Sequence, residues 1–151
     1  MRYEEYDTAR LLIDRGADLC GVAFDGNVTV LHIAAQIGSI DLMRLFLDSG
    51  LNVDIPCDWE GETALHLAAS ACYPDAVTLL IERGANIHAT DKKGKTALHS
   101  AVSYSDRDAS VSETCKTISV LLEHGCQVDA VDIWGSTPLH YAVKEIGRAH
   151  V

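Results

Sequence analysis

Four histidines stand in one short pattern, T-x-L-H: His32, His66, His99 and His140 each follow a threonine by three residues. Imidazole is the commonest metal ligand, so four equivalent histidines first raise the chemistry of a metal array. Their spacing excludes it. They recur 33 to 41 residues apart, and no pair matches a ligand motif such as H-E-x-x-H. Each is expected instead to hydrogen-bond to backbone beside its own threonine or in the next turn. His88, His124 and His150 are isolated and read as surface residues. The five cysteines are odd in number and contain no C-x-x-C pair, which fits neither a disulfide framework nor a zinc site and points to free thiols in a reducing compartment. There is no G-x-S-x-G and no glycine-rich phosphate loop. Asp25, Asp58, Asp91 and Asp132 stand at turn starts, where aspartate takes local backbone bonds. No catalytic residue, cofactor or metal site is assigned, and the chain does not read as an enzyme.

The elements that carry these histidines repeat. "NVTVLHIAA" at Asn27, "GETALHLAA" at Gly61, "GKTALHSAV" at Gly94 and "GSTPLHYAV" at Gly135 place threonines at 29, 63, 96 and 137, a period of 34, 33 and 41 residues. A second pattern runs in phase with it: "LLIDRGAD" at Leu11, "LFLDSGLN" at Leu45, "LLIERGAN" at Leu79 and "LLEHGCQ" at Leu121. Each threonine can cap a short helix, and Pro138 suits a first helical position, where its missing N–H costs nothing. Small pairs such as Ala34-Ala35 and Ala68-Ala69 let a neighbouring helix approach closely. A second helix carries Leu42, Leu45 and Phe46, or Val77, Leu79 and Leu80, at helical spacing. The glycine after it suits a left-handed cap. Two helices and a turn cannot bury both faces alone, so units must stack.

This period and the T-x-L-H core resemble the ankyrin repeat family over nearly the whole chain. The resemblance implies an all-α repeat solenoid of helix-turn-helix units linked by β-hairpin-like loops, with units roughly at 1–26 (partial), 27–60, 61–93, 94–134 and 135–151 (partial). The first unit lacks a first helix and the last stops where a second should begin, so the chain is expected to be a piece of a larger array with open stacking faces at both ends. Asn27 takes the glycine position before Thr29, with Gly26 beside it hinting at a turn shifted by one. Eight surplus residues fall within Tyr104–Thr114, between the two helices of one unit, and read as an exposed loop.

The totals narrow the class of partner. The 151 residues carry a formal charge of −10, and the only local basic cluster is Lys92, Lys93 and Lys95. Nucleic-acid binding and anionic membranes are disfavoured, and a basic or mixed protein surface is the expected target. No apolar run reaches membrane-spanning length and no signal-peptide core opens the chain, so a cytoplasmic or nuclear location is expected.

Once the scaffold positions are subtracted, the varying ones remain. At the turn tips these are Trp59, Glu60 and Glu62, then Lys92, Lys93 and Lys95, then Ile133, Trp134 and Ser136. On the first helices they are Gln36, Ile37, Ser70, Ser103, Tyr104 and Lys144. In proteins of the resembled family such positions line a concave face, which implies a non-enzymatic module binding a protein or peptide. The alternative is a regulatory or substrate-recognition segment of a larger enzyme, ubiquitin-ligase adaptor or channel. Trp59, Trp134 and Tyr104 form a candidate aromatic strip.

Overall fold

The computed structural model describes residues 2–21, 27–103 and 110–149. Among them are eight helices and no strand: α1 (Arg2–Asp14), α2 (Val30–Ile37), α3 (Ile40–Asp48), α4 (Ala64–Ser70), α5 (Pro74–Glu82), α6 (Ala97–Ser103), α7 (Val111–Glu123) and α8 (Pro138–Ala149). The first helices α2, α4, α6 and α8 pack in one row, and the second helices α1, α3, α5 and α7 in a parallel row. Ala34, Ala35, Ala68, Ala69 and Ala101 are fully buried between first helices, where a larger side chain would hold the row apart. Leu31, Leu65, Leu80 and Leu121 fill the space between the rows.

Each second helix ends on a glycine, as its sequence requires. Gly16, Gly50, Gly84 and Gly125 have φ near +90°. After α5, Gly84 N–H donates to Ile81 C=O at 3.0 Å and Ala85 N–H to Leu80 C=O at 3.0 Å, which closes the helix in a Schellman motif. Asn27 itself adopts the left-handed φ of 52°, and Gly26, on which the hint of a shifted turn rests, lies outside the described residues.

The histidines tie one unit to the next. Thr29, Thr63 and Thr96 N–H donate to Nδ1 of His32, His66 and His99 at 3.1–3.2 Å. Nδ1 is therefore unprotonated and Nε2 carries the proton. Nε2 donates to a carbonyl of the following tip: Glu62 at 3.3 Å, Lys95 at 3.0 Å and Ser136 at 2.9 Å. His140 repeats the bond to Thr137 N–H but is exposed. Burial holds His32 and His66 below the usual 6.5. A histidine depressed in the folded state contributes stability that is present above 6.5 and is lost as pH falls below it, because the unfolded chain binds the proton more readily. The melting temperature is expected to fall as pH drops through 6.5 toward the lower folded values. His66→Gln should flatten that fall, which thermal melts at a series of pH values read directly.

Hairpin-like tips project from this body. In two of them an aspartate organises the turn. Asp91 Oδ1 accepts from Lys93 and Lys95 N–H, both at 2.8 Å, and Asp132 Oδ1 accepts from Trp134 and Ser136 N–H, both at 2.9 Å. The third tip departs from expectation. Cys57, not Asp58, holds the equivalent place: its N–H donates to Glu62 C=O, one residue farther along than in Asp91→Lys95 or Asp132→Ser136. This longer tip accounts for a 34-residue period where the next is 33, and for Trp59 standing one place earlier than Trp134 relative to its glycine.

Neighbouring tips are hydrogen-bonded to each other. Lys92 N–H donates to Glu60 C=O at 2.7 Å, and Ile133 N–H to Lys93 C=O at 3.0 Å. The next tip therefore passes close over Gly61 and Gly94. A Cβ on Gly94 (φ +74°) would lie 3.1 Å from Ile133 N, whereas one on Gly135 (φ +75°) would meet nothing within 4 Å. Gly94→Ala is expected to cost about 1–3 kcal/mol from strain plus tip displacement, and Gly135→Ala only the backbone strain of about 1–2 kcal/mol. Equal losses in urea unfolding would mean that the tips do not press on one another.

Part of the surplus in the fourth unit is helix. α5 begins ten residues before Gly84, but α7 begins fourteen before Gly125. Four of the eight surplus residues thus form an extra helical turn, with Ser110 as its N-cap, Oγ accepting from Glu113 N–H at 3.2 Å. Residues 104–109 lie outside the described residues.

Candidate functional site

Six of the residues singled out by sequence come together at one groove. Lys93 and Lys95 from one tip, Trp134 and Ser136 from the next, Ser103 at the end of α6 and Lys144 on α8 line an open hollow of about 650 Å³. A smaller hollow of about 80 Å³ continues it toward the preceding tip and adds Glu60 and Glu62, with Lys93, Lys95 and Ser103 shared. The tips form one wall because their aspartates and mutual backbone bonds hold them upright. α6 and α8 form the floor because small residues let them pack side by side.

Tyr141 on α8 is central to this groove. It donates its hydroxyl to Asp132 Oδ2 at 2.7 Å and packs edge-on to His99 with ring centroids 5.7 Å apart. Lys95 Nζ sits 4.7 Å above its ring centroid, in cation–π contact. Burial and the bond to Asp132 push the Tyr141 hydroxyl up to about 12, so it stays a donor at all working pH. Burial raises Asp132, but the bonds from Tyr141, Ser136 and Trp134 outweigh it and leave the carboxyl below its usual value.

Charge is unevenly spread along the groove. Lys93 Nζ pairs with Glu60 Oε2 at 2.5 Å and holds that carboxyl low. Glu62 is pushed up, first by burial and then by the neighbouring Asp91 and Glu60 carboxylates. Arg148 pairs with Glu145 at 3.0 Å, one turn along α8. Lys144 is exposed and makes no ion pair among the described residues. The α8 end thus concentrates cations in a chain of net charge −10. An acidic chain led to the expectation of a basic or mixed target, and that average does not describe this groove.

The remaining candidates lie elsewhere. Trp59 and Ile133 are exposed on their tips but do not line the groove. Lys92 is exposed, with Nζ donating to Asp58 C=O. Ser70 donates its hydroxyl to Leu67 C=O at 2.9 Å, within its own helix. Gln36 is exposed at the end of α2. Ile37 lines a different hollow, with Tyr6 of α1 and Leu42 of α3. Tyr104, the third member of the expected aromatic strip, lies outside the described residues. Sequence reasoning passed over Tyr141 and Arg148. Tyr141 was open to detection, because it fills the position held by Ile33, Leu67 and Ser100 in the other units.

Among the described residues no helix is long and apolar enough to cross a membrane. A family model described as ankyrin repeats (three copies) matches residues 1–91 and again 87–151. No curated protein matches the chain significantly.

Proposed function

The chain belongs to the ankyrin repeat family, and on that premise we propose that its partner is a protein or peptide seated in the groove between the tips and the first helices α6 and α8. Ankyrin repeats are generally protein–protein interaction modules, typically without catalysis of their own. The observation that supports this site is the convergence of Lys93, Lys95, Ser103, Trp134, Ser136 and Lys144 on one hollow from two tips and two helices. Every one of them occupies a position where the repeat does not dictate the residue. The scaffold beneath is fully satisfied: among the described residues no buried side-chain nitrogen or oxygen lacks a hydrogen-bond partner. Groove residues therefore remain for recognition. A photo-crosslinking residue at Ser136 is expected to trap a partner, and the same residue at the exposed Lys116 of α7 is not. Equal trapping at both positions, or trapping at Lys116 alone, would move the site off the groove.

A further inference from the structure

We infer that the groove takes an extended acidic peptide segment, its carboxylates set on Lys95, Lys144 and Arg148 and an apolar side chain set against the Trp134 indole. This rests on the groove being the binding site and names the chemistry of what enters it. Four cations, Lys93, Lys95, Lys144 and Arg148, line the larger hollow against one carboxylate, Glu145. That is one third of the chain's 12 lysines and arginines, gathered in a protein whose acidic residues number 22. Such a local reversal of sign gives an acidic ligand both steering and specificity.

The geometry favours an extended chain. Lys144 and Arg148 are four residues apart on α8 and so lie on one face, about 5–6 Å from one another. Alternate side chains of an extended strand point the same way and lie about 6.6 Å apart. Acidic residues at alternate positions of the ligand would therefore reach both cations. Lys95 is pre-positioned: Tyr141 lies beneath it and is itself fixed by its bond to Asp132. A cation held in place loses less freedom on binding. Trp134 stands at the same hollow, 63% exposed, and offers the apolar anchor. The other end of the groove carries Glu60 and Glu62. These limit the length of negative charge the groove accepts, and with the net charge of −10 they disfavour a long polyanion such as a nucleic acid.

The test is selection of random linear peptides on the intact 151-residue protein, followed by affinity measurements on the variants. Selected peptides are expected to carry Asp or Glu at alternate positions beside an apolar residue. Their binding should weaken about tenfold or more in Lys144→Glu/Arg148→Glu, a pair of exposed substitutions whose folding is checked by thermal melting, and should weaken further with salt. Selected peptides that need Trp134 but show no acidic bias, and bind the charge-reversed variant equally, overturn the acidic ligand while leaving the groove as the site. Peptides indifferent to both changes, or no selected peptide at all, overturn the groove itself. Oligothymidylate that displaces the peptides at similar concentration overturns the peptide class in favour of nucleic acid.

Discussion

Leu79→Ala and Leu65→Ala are each expected to destabilise the protein by about 2–5 kcal/mol, the usual range for a buried leucine truncated to alanine. Leu11→Ala and Leu139→Ala, at the same places in the repeat, should stay within about 0.5 kcal/mol. By sequence the pairs are alike: Leu11 and Leu79 both open "LL-I-acid-R-G", and Leu65 and Leu139 both precede the histidine of T-x-L-H. Their surroundings separate them. Leu79 and Leu65 are 2% and 1% exposed, between neighbouring units, whereas Leu11 and Leu139 are 55% and 70% exposed on the two end helices α1 and α8. In a stacked array a side chain stabilises through the neighbour it touches, so the same residue counts for much inside the stack and for little at its ends. Losses of 2–5 kcal/mol are a large part of the 5–15 kcal/mol typical of a domain, and urea unfolding resolves them easily. Four equal losses would mean that the repeat unit, rather than its interfaces, carries the stability.

The contrast marks what a periodic sequence discloses. The two-helix unit, the capping glycines and the structural role of the histidines follow from local chemistry that recurs at fixed spacing, and residues such as Gly84 and His66 occupy the places that chemistry demands. What recurs with a one-residue slip is harder to read. Asp58 looks equivalent to Asp91, yet Cys57 takes that place because the tip is one residue longer, and only the backbone bonding reveals it. The surplus around Tyr104–Thr114 reads as loop because it is polar, but a serine cap and four helix-compatible residues are enough to extend α7 by a turn. The groove was legible residue by residue and not as a whole. Position in the repeat named Lys93, Trp134 and Lys144 separately. That they face each other, while Ile37 faces Tyr6 on α1, depends on how neighbouring units stack. Tyr141 was missed because its histidine neighbour marks it as scaffold, and it is both scaffold and groove.

Trp134→Ala is expected to weaken partner binding tenfold or more while moving the melting temperature little. Tryptophan is the residue most often found where truncation costs an interface 2 kcal/mol or more, provided that the partner shields it from water. At Trp134 the indole lines the groove and is largely exposed, so a partner seated there would remove a large apolar surface from water. The fold does not rely on that surface. The tip is organised by backbone atoms: Trp134 N–H and Ser136 N–H on the Asp132 carboxylate, Asp132 N–H on Ser136 C=O, and Ile133 N–H on Lys93 C=O. Alanine keeps every one of these bonds. The sequence groups Trp59 with Trp134, and the groove separates them, because Trp59 lies on the longer tip outside both hollows. Trp59→Ala should therefore change affinity less than Trp134→Ala. Calorimetric binding of a groove-selected peptide to the two variants, with melts in parallel, distinguishes the outcomes. Normal binding by Trp134→Ala together with a melting point several degrees lower would make the indole a cover for its own turn and shift recognition to Lys95, Tyr141 and Lys144 on the groove floor.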